Sequence, residues 1–206
     1  MRVLVVGASG AIGIRLVPRL IDQGHEVTGT FRSSPEKAEL LRALGAEAIP
    51  LDLLDAPAVR KAVLDAEPEA IVHEATALAD GGFSRKLDRT FAQTNRLRTE
   101  GTDTLLAAAR EAGVHRFVAQ SFAPYRYARE GGMVKTEDDP LDPTPAAGAR
   151  ETNAAMAYLD QAVIDAGGIA LVDASTQARR ASRDDPLVPL PGVPPCPPGH
   201  PAHRSQ

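Results

Sequence analysis

Residues 1–13 constrain this chain more than any other stretch. They read Met1-Arg-Val-Leu-Val-Val-Gly7-Ala-Ser-Gly10-Ala-Ile-Gly13. Arg2 to Val6 is a short apolar run rich in β-branched residues, the pattern of a buried strand. Glycines follow at every third position. An apolar helical period then starts at Ile12 and runs through Leu16, Val17, Leu20 and Ile21. A strand that turns through glycines into a helix N-terminus forms a receptor for the pyrophosphate of a dinucleotide, because free N–H groups and the positive dipole end meet negative charge. Gly7 is expected to permit the tight turn, Gly10 the approach of backbone to phosphate, and Gly13 the close packing of helix on strand. Ser9, Ala11 and Ile12 belong to the same expected cofactor-binding set. The competing reading is a glycine turn that serves the fold alone.

Downstream, strand and helix signals alternate, which predicts an α/β fold: a parallel sheet covered by helices. Strands are expected over Glu26–Phe31, Glu47–Leu51, Ala70–His73, Arg116–Ser121 and from Ile169 to Val172. Helices are expected from Pro35 until Gly45 ends them, from Pro57, through a long region of about 85–112 closed by Gly113, and over Glu151–Ala166. Ser121 falls at the C-terminal end of a parallel strand, where open α/β sheets place their ligands. A surface serine without a role is the alternative.

After Val172 the text changes. Eight of the chain's 17 prolines lie between Pro186 and Pro201. They leave little room for helix or central strand, and a disordered tail over 173–206 is expected beside a folded domain of 1–172. Cys196, His200 and His203 fall there. Three ligands in such a tail fall short of the usual four of structural zinc, so no metal site is expected. The net charge of −4 and the lack of a basic stripe speak against nucleic acid as a partner. A single cysteine suits a reducing compartment. The N-terminus lacks the apolar run of a signal peptide, and no stretch approaches a membrane span, so a cytoplasmic protein is expected.

Taken in order, these motifs resemble those of the extended short-chain dehydrogenase/reductases, also described as the NAD(P)-dependent epimerase/dehydratase family. Gly7-x-x-Gly10-x-x-Gly13 matches, as do Asp52-Leu53, Val72-His73-Glu74-Ala75-Thr76, Thr94-Asn95 with Gly101-Thr102, and Arg116-Phe117-Val118 leading to Ser121. The likeness covers residues 1 to about 172. It implies a Rossmann-type doubly wound sheet with helices on both faces and a bound nicotinamide cofactor. It also places Asp52 and Leu53 beside the adenine, Ala75 and Thr76 under the cofactor, and Ser121 as the catalytic serine. Asp52 as a helix cap, His73 as a half-buried structural histidine and Asn95 as a local backbone partner are the plainer readings.

The family's chemistry needs a Tyr-x-x-x-Lys pair on the helix after that serine, and this chain has none. Tyr125 is followed by Arg129, Tyr127 by Gly131 and Tyr158 by Ala162. Tyr125 is the candidate proton donor, with a loop aromatic as the alternative. Lys135 to Pro143 is either a loop over the substrate or a solvated connector. Strand two ends Thr30-Phe31-Arg32 without a carboxylate, and Arg32 suits a 2′-phosphate, so NADP(H) is expected in preference to NAD(H). Two functions compete. One is an oxidoreductase or epimerase-like enzyme acting on a carbonyl or hydroxyl of a small molecule. The other is a non-catalytic dinucleotide-binding or sensor protein. The long helices offer a homodimer interface. The abrupt change after Leu171 also suggests a C-terminally truncated enzyme, read out of frame from Val172 onward, with a genuine disordered extension as the alternative.

Overall fold

The computed structural model describes residues 1–32, 34–78, 87–122, 127–128, 130–131, 135–136 and 139–173. Among these, β1 (Arg2–Val6), β2 (Glu26–Phe31), β3 (Glu47–Pro50), β4 (Ala70–His73), β5 (Arg116–Phe122) and β6 (Ile169–Asp173) form one parallel sheet in the order β3-β2-β1-β4-β5-β6. The chain winds outward from β1 to β3, then returns to pair β4 against the other side of β1. That reversal is the switch point at which doubly wound sheets bind ligands.

The helices are α1 (Gly13–Asp22), α2 (Pro35–Ala43), α3 (Ala56–Ala66), α4 (Leu87–Arg96), α5 (Thr102–Glu111) and α6 (Arg150–Asp165). The strand period of two sorts β1 between two cores. Val3 and Val5 face Val17 of α1 and Leu41 of α2. Leu4 and Val6 face Val59 and Val63 of α3, Leu105 of α5, and Leu159 and Val163 of α6. Each such buried Val or Leu contributes roughly 1.5–3 kcal/mol, which makes a slip of one residue in β1 prohibitive. Helices therefore cover both faces of the sheet. The long helix expected over about 85–112 is interrupted by a π-helical turn, Leu97–Gly101. There Gly101 lies against Leu53: an added Cβ would come within 2.9 Å of the leucine side chain. No helix among the described residues is long and apolar enough to cross a membrane.

The compact unit is Met1–Asp173. Tyr125, Arg129, Cys196, His200 and His203 lie outside the described residues.

Candidate functional site

The turn after β1 shows why its glycines are there. Gly7 has a φ of +87°. A Cβ on it would also lie 2.6 Å from Ala75 N and 2.8 Å from Glu74 C, so the chain beyond β4 runs directly against it. Gly7 N donates to Thr30 Oγ1 at 3.0 Å, tying the turn to the end of β2, and Gly10 N donates to Gly7 O at 2.9 Å. Gly13 meets Ala8 of the turn rather than the strand. A Cβ there would fall 2.5 Å from Ala8 Cα, and Ala8 in turn seats over Gly29 of β2. Gly10 differs from both: the nearest atom to its added Cβ is Gly7 O at 3.1 Å. Helix α1 begins here without a capping side chain and without an acidic residue in its first turn. Its first N–H groups and positive dipole end suit the pyrophosphate of a dinucleotide.

The second wall is the segment after β4. Glu74 N extends the parallel ladder by donating to Val6 O at 2.8 Å. Ala75 N donates to His73 Nδ1 at 3.3 Å, and Ala77 N to the buried Thr94 Oγ1 of α4 at 3.0 Å. The Ala75 amide is thus used within the protein, while Thr76 is exposed beside it. Burial pushes the His73 imidazole down to about 4. The Leu97 backbone opposes this and the Arg98 charge adds to it.

Other expected residues gather at the same end of the sheet. Arg32 is exposed just past β2. Glu36, in the first turn of α2, is held by the Ser34 hydroxyl, which keeps its carboxyl below the usual range. Asp52 is exposed beyond β3 and accepts from Leu54 N at 3.0 Å. It does not cap α3: Asp55 does, accepting from Ala58 N at 3.1 Å. Leu53 is 4% exposed and packs in the core, so only its backbone is available to a ligand. Ser121 is the penultimate residue of β5 and is buried, as is Phe122 after it.

The model of the NAD dependent epimerase/dehydratase family matches residues 3–159. The chain belongs to that family. It is 43% identical over 174 residues to a 3-diazoavenalumate denitrifying reductase from Streptomyces, covering 83% of this chain and 55% of the relative. To the UDP-glucose 4-epimerase of Mycolicibacterium smegmatis it is 34% identical over 148 residues, covering 69% of this chain and 45% of the relative. Among solved structures it resembles the Bordetella bronchiseptica enzyme WbmG in complex with NAD and UDP, with a TM-score of 0.59 and 26% identity, covering 77% of this chain and 49% of that one. The chain spans about half the length of the curated relatives it matches.

Within this family member, the surroundings of Tyr158 do not suit general acid–base work. It is 43% exposed on α6 and its hydroxyl donates to the Asp103 carboxylate of α5 at 2.7 Å, which raises its pKa. Lys135 pairs with Asp139 at 3.7 Å, and Thr136 N donates to the same carboxylate at 2.6 Å, so this loop is bonded to itself. Asn95 makes no merely local bond: its Nδ2 donates to Thr152 Oγ1 at 3.2 Å, and Thr152 in turn bonds Asp88 at 2.8 Å, joining α4 to α6. Sequence reading missed Arg98, a buried cation on the π-helical turn whose guanidinium lies 5.8 Å from the Phe91 ring centroid and 5.9 Å from that of Phe122. Nothing in a helical period marks a charged residue as buried. It named Thr30 and Thr94 without a role, and their hydroxyls hold the two walls.

Proposed function

We propose that residues 1–172 form a nucleotide-binding domain that takes NADP(H) in preference to NAD(H). In this reading it acts as a reductase- or epimerase-like enzyme on a carbonyl or hydroxyl of a small molecule. The observation that carries the reading is the Gly7–Gly13 turn at the switch point, open at Gly10 and backed by the uncapped start of α1. In it, Gly7, Ser9, Gly10, Ala11, Ile12 and Gly13 hold the pyrophosphate, and Arg32 meets a 2′-phosphate. Asp52 and the Leu53 backbone border the adenine, with Ala75 and Thr76 beneath the cofactor. Ser121 polarises the substrate oxygen and Tyr125 supplies its proton. The bound nicotinamide gives or takes the hydride. NAD is the nucleotide seen in the WbmG structure, so the NADP(H) preference rests on Arg32 and the missing carboxylate. A cytoplasmic homodimer joined through α4, α5 and α6, with residues 173–206 in place of a substrate-binding portion, completes the proposal.

The absent Tyr-x-x-x-Lys pair favours a second reading, a non-catalytic dinucleotide-binding protein or an inactive piece of an enzyme. It is less of an obstacle to a reduction of the kind named for the Streptomyces relative, whose diazo substrate loses nitrogen. Loss of a diazo group as N2 leaves no alkoxide that needs a proton. Titration of the full chain with NADPH and NADH, repeated with Arg32→Ala, tests the binding half. NADPH should bind at least about tenfold tighter, and the variant should lose most of that margin. Equal or tighter NADH binding overturns the preference. A panel of aldehydes, ketones and an arenediazonium salt then tests turnover. NADPH oxidation above the enzyme-free rate supports the enzyme, and its absence with bound NADPH leaves the non-catalytic reading.

A further inference from the structure

The wall beside the glycine turn is held by a histidine that the proposed chemistry does not use. His73 closes β4 and is 2% exposed. Its Nδ1 accepts from Ala75 N at 3.3 Å, a contact across two residues just where the chain leaves the sheet. An imidazole accepts at Nδ1 only when neutral, with its proton on Nε2. Burial and the neighbouring Arg98 keep the ring neutral. Ala75 is also the residue against which Gly7 lies, at a spacing that leaves no room for a methyl group. With Glu74 N fixed on Val6 O and Ala77 N on Thr94 Oγ1, Ala75 is the middle of three pins on this segment.

We propose that His73 is a positioning residue for the dinucleotide: by accepting the Ala75 N–H at Nδ1 it sets the distance between segment 74–77 and the Gly7 turn, and hence the width of the cradle. The inference rests on the dinucleotide reading above, so one arm of its test needs no nucleotide. In the free, 15N-labelled full chain at neutral pH, long-range nitrogen–proton spectra should show the His73 proton on Nε2. A proton on Nδ1 overturns the proposal. In the binding arm, His73→Leu should weaken NADP+ by about tenfold, because the Ala75 amide loses its acceptor. His73→Asn, whose Oδ1 replaces Nδ1, should stay within about threefold of the wild type. Val163→Ala, a core truncation in α6, should leave affinity unchanged despite its own loss of stability. Wild-type affinity in His73→Leu, or an equal loss in Val163→Ala, overturns the positioning role. Should His73→Leu not fold, a tenfold loss in His73→Asn does the same. Failure of the wild type to bind NADP+ counts against the dinucleotide reading, while the tautomer still decides the role of His73.

Discussion

Gly7 and Gly10 stand three residues apart in one turn, yet a methyl group added to each meets different surroundings. At Gly7 it would strike the backbone of Ala75 in a residue whose φ is already +87°. Strain and overpacking add there, and Gly7→Ala should cost about 3 kcal/mol, read as a lower denaturant midpoint at constant slope. At Gly10 the only close atom among the described residues is Gly7 O at 3.1 Å, and φ is not positive. Gly10→Ala should cost about 1 kcal/mol or less, yet weaken nucleotide binding by about tenfold or more, since the methyl occupies space meant for phosphate. Comparable stability losses in the two variants would remove the distinction between a glycine kept for the fold and one kept for the ligand. The same division separates Asp55, which caps α3, from Asp52, which holds a turn and leaves its carboxylate at the rim.

Among the elements, α1 has to be both a phosphate-facing terminus and a packing surface. Its apolar face buries Val17 between β1 and α2. It achieves this with Pro18 inside the helix, where the missing N–H leaves the carbonyl four residues back without its usual donor. Pro18→Ala should stabilise the chain by about 1 kcal/mol or more, after allowing for the greater freedom of the unfolded chain, and raise the melting temperature by about 3 °C. An unchanged or lower melting temperature would mean that the proline is accommodated by its packing. The interruption between α4 and α5 has a different origin. Its π-helical turn buries Arg98 against Phe91 and Phe122, and brings Gly101 onto Leu53, linking the helix that bears Thr94 to the segment after β3 and to the end of β5.

For the molecule as a whole, every buried hydrophobic side chain among the described residues falls between Val3 and Val163. Both core layers close within the Met1–Asp173 unit. If the nucleotide-binding domain is complete in that unit, a chain ending at Asp173 should melt within about 2 °C of the full chain, by calorimetry at matched concentration. A larger drop would move the proposed domain boundary towards the C-terminus. The β6 end of the sheet exposes Ile164, Ile169 and Leu171 at 58%, 58% and 54%. Isolated exposed apolar residues are ordinary, but Ile169 and Leu171 stand on β6 at the edge of the described sheet, which favours association, so concentration must be controlled in that comparison.

The strands were legible from sequence because each is a short apolar run bounded by glycine, proline or charge. Arg2–Val6, Glu26–Phe31 and Ala70–His73 have the same limits by either route, and the start of α2 follows from Pro35. The glycine turn was equally plain, since a strand, three spaced glycines and a helical period are all local. Tertiary structure alone decided which neighbours those local pieces would meet. It set Gly13 against Ala8 rather than the strand, Gly7 against Ala75, Asn95 on Thr152, and Arg98 between two phenyl rings. A hydrophobic period records which face of an element is buried and carries nothing about polar partners far away in the chain. Thr30 for Gly7 and Thr94 for Ala77 were fixed only when the sheet order and helix packing closed around them, because a buried N–H must find an acceptor wherever the fold supplies one.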